Sequence, residues 1–241
     1  MTLDKIAYEG KAKIIIKTRD SLTVIQHFKD DITAFNKKKI EIIEGKGIIN
    51  NFISAFIMNK LEKIGISTHF IKILNEREQL VKKLEIIPLE VVVRNTAAGS
   101  FCKRFNVKEG KKLIPPIIEF FYKDDSLFDP MVNENHILHF GWLSFKEIKE
   151  IKTIILKINT FLTDIFLNAG INLVDFKLEF GRSINRTKII LADEISPDNC
   201  RLWVNNNQKK LDKDIFRLEL GNLKEAYLEV AKRLSIKIDL I

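Results

Sequence analysis

Residues 173 to 180 read Leu-Val-Asp-Phe-Lys-Leu-Glu-Phe, so that Val174, Phe176, Leu178 and Phe180 alternate with Asp175, Lys177 and Glu179. A period of two belongs to a β-strand, whose successive side chains point to opposite sides, so the three charges share one face. A solvated outer face is the ordinary fate of such charges, but the next segment argues against it. After a turn rich in Gly, Arg, Ser and Asn, Lys188 to Ala192 is apolar and runs into Asp193-Glu194-Ile195-Ser196-Pro197-Asp198. The spacing predicts a hairpin with carboxylates crowded at one end. Crowded carboxylates repel, and a hard cation such as magnesium, carried in by nucleotide phosphates, relieves that repulsion through oxygen ligands. A Mg-ATP site is the chemistry this hairpin favours.

Cations that suit anionic ligands lie elsewhere in the chain. Tyr8-Glu9-Gly10-Lys11-Ala12-Lys13 puts two lysines two apart at a glycine turn entering a strand. Both ammonium groups can then face one phosphate chain, or simply an exposed strand face. Arg94 closes an apolar strand and precedes Asn95-Thr96-Ala97-Ala98-Gly99-Ser100, small residues leading into a helix. That arrangement suits a phosphate or carboxylate, although a turn with Ser100 as N-cap reads equally well. Arg201 follows the acidic hairpin end and fits an anionic substrate beside a metal, or an ordinary ion pair.

The surrounding pattern predicts an α+β chain. Lys11 to Ile16, Leu22 to Phe28, Phe70 to Leu74 and Gln79 to Leu84 read as short strands of an antiparallel lobe. Phe52, Ile53, Phe56, Ile57 and Leu61 mark a helix with one buried stripe that stops at Gly65. Ile86 to Arg94, with Pro88 and Glu90 inside it, suits a strand that starts at a sheet edge and becomes buried, and a second lobe begins there. Ser144 and Glu147 form a capping box for a helix carrying Ile148, Ile151, Ile155, Ile158 and Leu162 as far as Gly170. A last helix starts at Asn222 and buries Leu223, Tyr227, Val230 and Leu234. With no flexible linker between them, the lobes are expected to pack together and leave a ligand-binding cleft.

Composition narrows the function classes. No apolar stretch approaches the roughly 18 residues a membrane-spanning helix needs, and Asp4, Lys5 and Glu9 break up any leader-like start, so a cytoplasmic protein without a membrane partner is expected. Cys102 and Cys200 form neither a disulfide framework nor a zinc knuckle, and His136 and His139 lack the arrangement of a zinc site. No Walker-type phosphate loop or dinucleotide fingerprint occurs. A net charge of +8 leaves a nucleic-acid-binding protein as the competing class, but no stacking-aromatic motif or binding module accompanies the charge.

Several segments, in order, resemble the SAICAR synthetase family over nearly the whole chain: Tyr8 to Lys13, Lys46-Gly47 with Asn50-Asn51, Leu80 to Leu84, Val92 to Ser100, Asp129-Pro130-Met131-Val132-Asn133-Glu134, Val174 to Gly181, and Asp193 to Trp203. The resemblance implies an α+β fold related to ATP-grasp ligases, with an antiparallel N-terminal lobe over residues 1–85, a larger C-terminal lobe over residues 86–241, and nucleotide in the cleft between them. It implies that ATP, carboxyaminoimidazole ribonucleotide (CAIR) and L-aspartate give SAICAR, ADP and phosphate through an acyl phosphate, with Mg2+ as cofactor. It further implies a homodimer with no nucleic-acid partner. By matching positions, Gly10, Lys11, Ala12, Lys13, Val81, Lys82, Leu84 and Lys123 would meet ATP, while Glu179 and Asp193 would hold the metal beside it. Arg94, Ser100, Asp129, Asp175, Lys177, Asp198 and Arg201 would surround CAIR, with Asp175 and Lys177 at the reacting group. The loop containing Ala34 and Asn36 would border aspartate, and Asn36 cannot serve there as a general base.

Overall fold

The computed structural model describes residues 6–34, 39–185 and 187–238. Three antiparallel sheets and six α-helices account for the framework among these residues. The small sheet is ordered β1 (Ile6–Glu9), β2 (Lys13–Lys17), β3 (Thr23–Phe28), β7 (Glu78–Lys82), β6 (Phe70–Asn75), and a separate ribbon pairs β4 (Asp31–Ala34) with β5 (Lys39–Ile42). The large sheet runs β10 (Met131–Val132), β9 (Lys112–Tyr122), β8 (Glu85–Thr96), β11 (Ile171–Arg182), β12 (Ile189–Ala192), with β13 (Cys200–Val204) also on β11. The predicted hairpin is present as β11 and β12, with Glu179 opposite Ala192.

Helix α1 (Lys46–Lys63) lies against the small sheet, but its buried surface is not a single stripe. Ile53, Ile57 and Leu61 are buried as expected, whereas Phe52 and Phe56 are only half-buried, and Asn50, Asn51, Ser54 and Ala55 are buried as well. The reason is that α1 is covered on another side by α6 (Leu223–Arg233), so more of its circumference leaves water. Its first N–H groups are capped from a distance: the Asp30 carboxylate accepts from Gly45 N at 3.2 Å and Gly47 N at 2.9 Å while Arg77 grips the same group at 2.8 Å. Gly47 is required because a Cβ there would stand 2.5 Å from the Phe28 carbonyl oxygen.

The long helix α4 (Phe145–Asn168) has the capping box predicted from Ser144 and Glu147, and its five stripe residues are all buried. It packs across β11. Strand β8 begins at an edge as expected, with exposed Glu85 and Ile86 pairing Arg182 and Gly181 of β11, and β9 joins its other side from Leu89 onward, where the strand becomes buried. Pro88 is tolerated because it falls in the register irregularity between the Glu179 and Gly181 pairings, where the ladder makes no demand on its missing N–H. One apolar core continues from α1 through β8 and β11 to α4 and α6. Two backbone links also join the sheets: His69 N donates to Leu191 O at 2.8 Å and Leu191 N to Ser67 O at 3.0 Å.

Candidate active site

The alternation in β11 places Asp175, Lys177 and Glu179 on one face, and the register with β8 sets Arg94 opposite Asp175 and Glu90 opposite Glu179. Glu119 joins from β9, directly across from Val92. This face is not solvated. Asp175 is 4% exposed and Glu179 8%, against the ordinary preference of carboxylates for water.

Two charge clusters divide the face. In the first, Lys177 Nζ reaches Glu179 at 2.6 Å, Glu90 at 3.0 Å and Asp193 at 3.3 Å. Lys13 comes across from the small sheet to bond Asp193, and Glu194 at 2.8 Å, while Lys123 bonds Glu179. Burial alone would drive protons off both lysines, but the carboxylates overcome it and hold the Lys13 and Lys177 ammonium groups well above the ordinary lysine range. Burial likewise opposes the Asp193 charge, and Lys13 and Lys177 overcome it, leaving that carboxyl far below its usual range. Asp193 has a φ of 62°, a left-handed conformation uncommon outside glycine and of a kind that gathers at functional sites.

The second cluster is a chain of alternating charges. Arg104 bonds Glu119; Glu119 bonds Arg94 at 2.6 Å; Arg94 and Arg201 share Asp175 Oδ2, each at 2.8 Å; Arg201 bonds Asp214 at 2.8 Å; and Asp214 bonds Arg217. Its middle is buried, with Arg94 3% exposed, while of the terminal arginines Arg217 is half-buried and Arg104 exposed. The Ser100 hydroxyl accepts from Arg104 at 3.2 Å and Arg94 at 3.4 Å. Ser100 is the first residue of α2 (Ser100–Phe105) and not its cap; Gly99 holds that position, with φ 54° and no side chain to bond. A Cβ at Gly99 would meet Arg201 Nη2 at 2.5 Å, so the close seat of that guanidinium depends on glycine.

Of the residues singled out from sequence, Lys13, Lys123, Lys177, Glu179 and Asp193 come together in the first cluster, and Arg94, Ser100, Asp175 and Arg201 in the second. Gly10 and Ala12 form the turn before β2, where Gly10 N donates to Lys13 O at 2.8 Å and Lys29 N to Ala12 O at 2.8 Å. Lys11 diverges from Lys13 and pairs with Asp125 at 2.6 Å, two residues beyond Lys123. Val81 is buried on β7, Lys82 sends its ammonium to Thr68 O at 2.8 Å, and Leu84 packs against Gly181.

Three residues stand apart from these clusters. Asp198 takes Lys46 at 2.6 Å and Asn50 at 2.8 Å on Oδ2, and the Tyr227 hydroxyl at 2.8 Å on Oδ1, tying the hairpin's far end to α1 and α6. Asp129 closes its own loop by accepting from Asp124 N at 3.0 Å. Ala34 is buried at the end of β4, and Asn36 lies outside the described residues. The two histidines behave structurally where bonds are seen, since the His136 ring accepts from Asn133 N in the capping box of α3 (Glu134–His139).

Sequence reasoning missed Glu90, Glu119 and Arg104 as members of the site, along with Asp214 and Arg217 of α5 (Asp214–Leu218). Glu90 and Glu119 did carry a signal: each is a carboxylate with apolar residues on both sides within its strand.

Geometry and relatives agree on a class, the ATP-dependent ligases that form a carbon–nitrogen bond. The profile of the SAICAR synthetase family matches residues 6–234, and the chain belongs to that family. Its activity joins L-aspartate to the CAIR carboxylate to give SAICAR in purine biosynthesis. A phosphoribosylaminoimidazole-succinocarboxamide synthase of Wolbachia from Brugia malayi is 76% identical over 239 residues, covering 99% of this chain and 100% of its own. The crystal structure of the Ehrlichia chaffeensis enzyme of that name superposes with a TM-score of 0.95 at 58% identity, over 97% of this chain and 100% of that one. A SAICAR synthetase solved in complex with ADP gives a TM-score of 0.93 at 47% identity, over 97% and 99% of the two chains.

Proposed function

We propose that the two clusters divide the reaction: the lysine–carboxylate cluster handles ATP and the arginine chain handles CAIR. The supporting observation is that Lys13, Lys123 and Lys177, from three different strands or strand ends, converge on Glu179 and Asp193. In this reading residues 1–85 supply the nucleotide lobe, with Val81, Lys82 and Leu84 along adenine, and residues 86–241 carry CAIR.

The donor set fits Mg2+. Glu179 and Asp193 both approach Lys177 Nζ, as does Glu90, so carboxylate oxygens converge on one point, and among the described residues no group of three side chains forms a closed metal site. A hard cation held by two carboxylates, with phosphate and water filling its remaining positions, is the usual arrangement for a metal that travels with a nucleotide. Magnesium bound there would neutralise phosphate oxygens during transfer. Lys13 and Lys123 then turn from their carboxylates to the phosphate chain, and Lys177 stays beside the reacting group. A CAIR carboxylate oxygen attacks the γ-phosphorus and ADP leaves. The aspartate amine then attacks the acyl carbon, loses a proton and expels phosphate. Arg94 and Arg201, fixed by their shared carboxylate, orient CAIR so that this chemistry needs no protein nucleophile. The expected setting is a cytoplasmic homodimer.

The deciding experiment measures ADP release by purified protein with ATP, Mg2+ and CAIR, with and without L-aspartate, reading SAICAR by mass. Equal yields of ADP and SAICAR only in the complete mixture support the division of labour. ATP turnover without SAICAR overturns the CAIR and aspartate assignments.

A further inference from the structure

The β4–β5 ribbon is held unevenly. Ile32 and Ala34 of β4 are buried in the core, whereas Ile40, Glu41 and Ile42 of β5 are exposed. Lys39, which pairs with Ala34 at the ribbon's end, is the residue of β5 drawn into the structure. Its ammonium does not turn to water in the usual manner of a lysine head group. It donates to Phe216 O at 2.8 Å and to Glu219 Oε1 at 2.9 Å, and it lies 4.6 Å from the centre of the Phe216 ring.

These three contacts differ in weight. Glu219 is 81% exposed, so water and salt screen that ion pair and its contribution is small. Phe216 is buried, and the half-buried lysine meets its carbonyl oxygen and its ring face together, contacts that strengthen as water leaves. Phe216 belongs to α5, which also carries Asp214 and Arg217, the last links of the arginine chain. One side chain of β5 therefore fastens the Ala34 end of the ribbon to the helix in which that chain of charges ends.

We propose that Lys39 is a positioning residue: through Phe216 it holds the Ala34 end of the ribbon in place beside the arginine chain, so that aspartate meets a site already ordered next to CAIR. This rests on the reading that Ala34 borders aspartate and that the arginine chain borders CAIR. Lys39 acts through α5 and not by touching a substrate. Its effect is to spare aspartate binding the entropy of ordering the ribbon, which is the general benefit of preorganisation.

The test compares Lys39→Met, Lys39→Arg and Glu219→Gln. For each, kcat and the apparent KM of aspartate, CAIR and ATP are measured, along with the urea midpoint and amide hydrogen exchange across residues 39–42 in the absence of substrates. Lys39→Met is expected to speed exchange in β5 and to raise the aspartate KM about threefold to tenfold, with kcat, the other two constants and the midpoint close to wild type. Lys39→Arg should restore most of the loss, and Glu219→Gln should change little. Unchanged exchange in Lys39→Met overturns the proposal, as does faster exchange with every KM unchanged. An equal loss for all three substrates together with a lower midpoint also overturns it, since that is the mark of a purely structural contact. Faster exchange with a rise confined to the CAIR KM supports the positioning role and overturns instead the placement of aspartate at Ala34.

Discussion

Gly99→Ala tests how the arginine chain is held in place. The added Cβ would lie 2.5 Å from Arg201 Nη2 and 2.8 Å from its Cζ, at a residue whose φ is 54°. Backbone strain for a side chain in such a conformation costs about 1 to 3 kcal/mol. Displacing the guanidinium weakens its bonds to Asp175 and Asp214, and loss of one charge-assisted bond adds about 1.5 to 3 kcal/mol. Roughly 2.5 to 6 kcal/mol of destabilisation is therefore expected, a large share of the about 5 to 15 kcal/mol that holds a typical domain folded. The two contributions separate in a double-mutant cycle with Arg201→Ala. That variant should fold, because Asp175 keeps Arg94 and Asp214 keeps Arg217. In its background Gly99→Ala should cost only the backbone strain, giving a coupling of about 1.5 to 3 kcal/mol by urea denaturation. An equal cost in both backgrounds would refute the steric argument.

Glu179→Gln should lower turnover and raise the Mg2+ requirement, with some loss of stability because Lys177 and Lys123 lose a charged partner; wild-type turnover across a Mg2+ titration would remove Glu179 from the metal reading. Lys46→Met leaves Asp198 buried without its cation and should cost about 3 to 5 kcal/mol, checked by denaturation, with a loss under 1 kcal/mol counting against the ion pair as a structural element. Glu147 is held down to about 2, first by its bond to Arg182 and further by Ser144, with burial opposing. Because the folded pKa is depressed, its contribution is whole above the unfolded value near 4.5 and lost as pH falls toward about 2. Glu147→Gln should flatten the stability curve in that window, and an unaltered acid limb would show that this carboxylate is not responsible. Arg94→Ala should raise the CAIR KM and also destabilise the fold, since Glu119 and Asp175 each lose a buried partner; a changed KM with unchanged stability would contradict the observed pairing.

Local chemistry made much of this legible in the sequence. The alternation from Val174 to Phe180 placed three charges on one face, and Ser144 with Glu147 located the start of α4 to the residue. Features that depend on distant segments were harder to read. Asp198 meets Lys46 and Tyr227 only once α1, the hairpin loop and α6 have packed, and nothing in the spacing of those residues encodes the meeting. Ser100 looked like an N-cap because its residue type suits one, but the close approach of Arg201 reserves the preceding position for glycine. The stripe on α1 was read too narrowly because its second neighbour, α6, lies near the other end of the chain.

The paired bonds between Leu191 and the Ser67–His69 segment carry a mechanical consequence. They lie where β12 runs toward Asp193, so the strand that delivers this carboxylate is fastened to the segment leading into β6. A hinge that swung the sheets apart would have to shear this seam and expose two peptide groups to compensation by water alone. Access to the cleft is therefore expected to come from movement of surface segments such as the turn at residues 124–129, with the sheets behaving as a single frame that melts in one cooperative step.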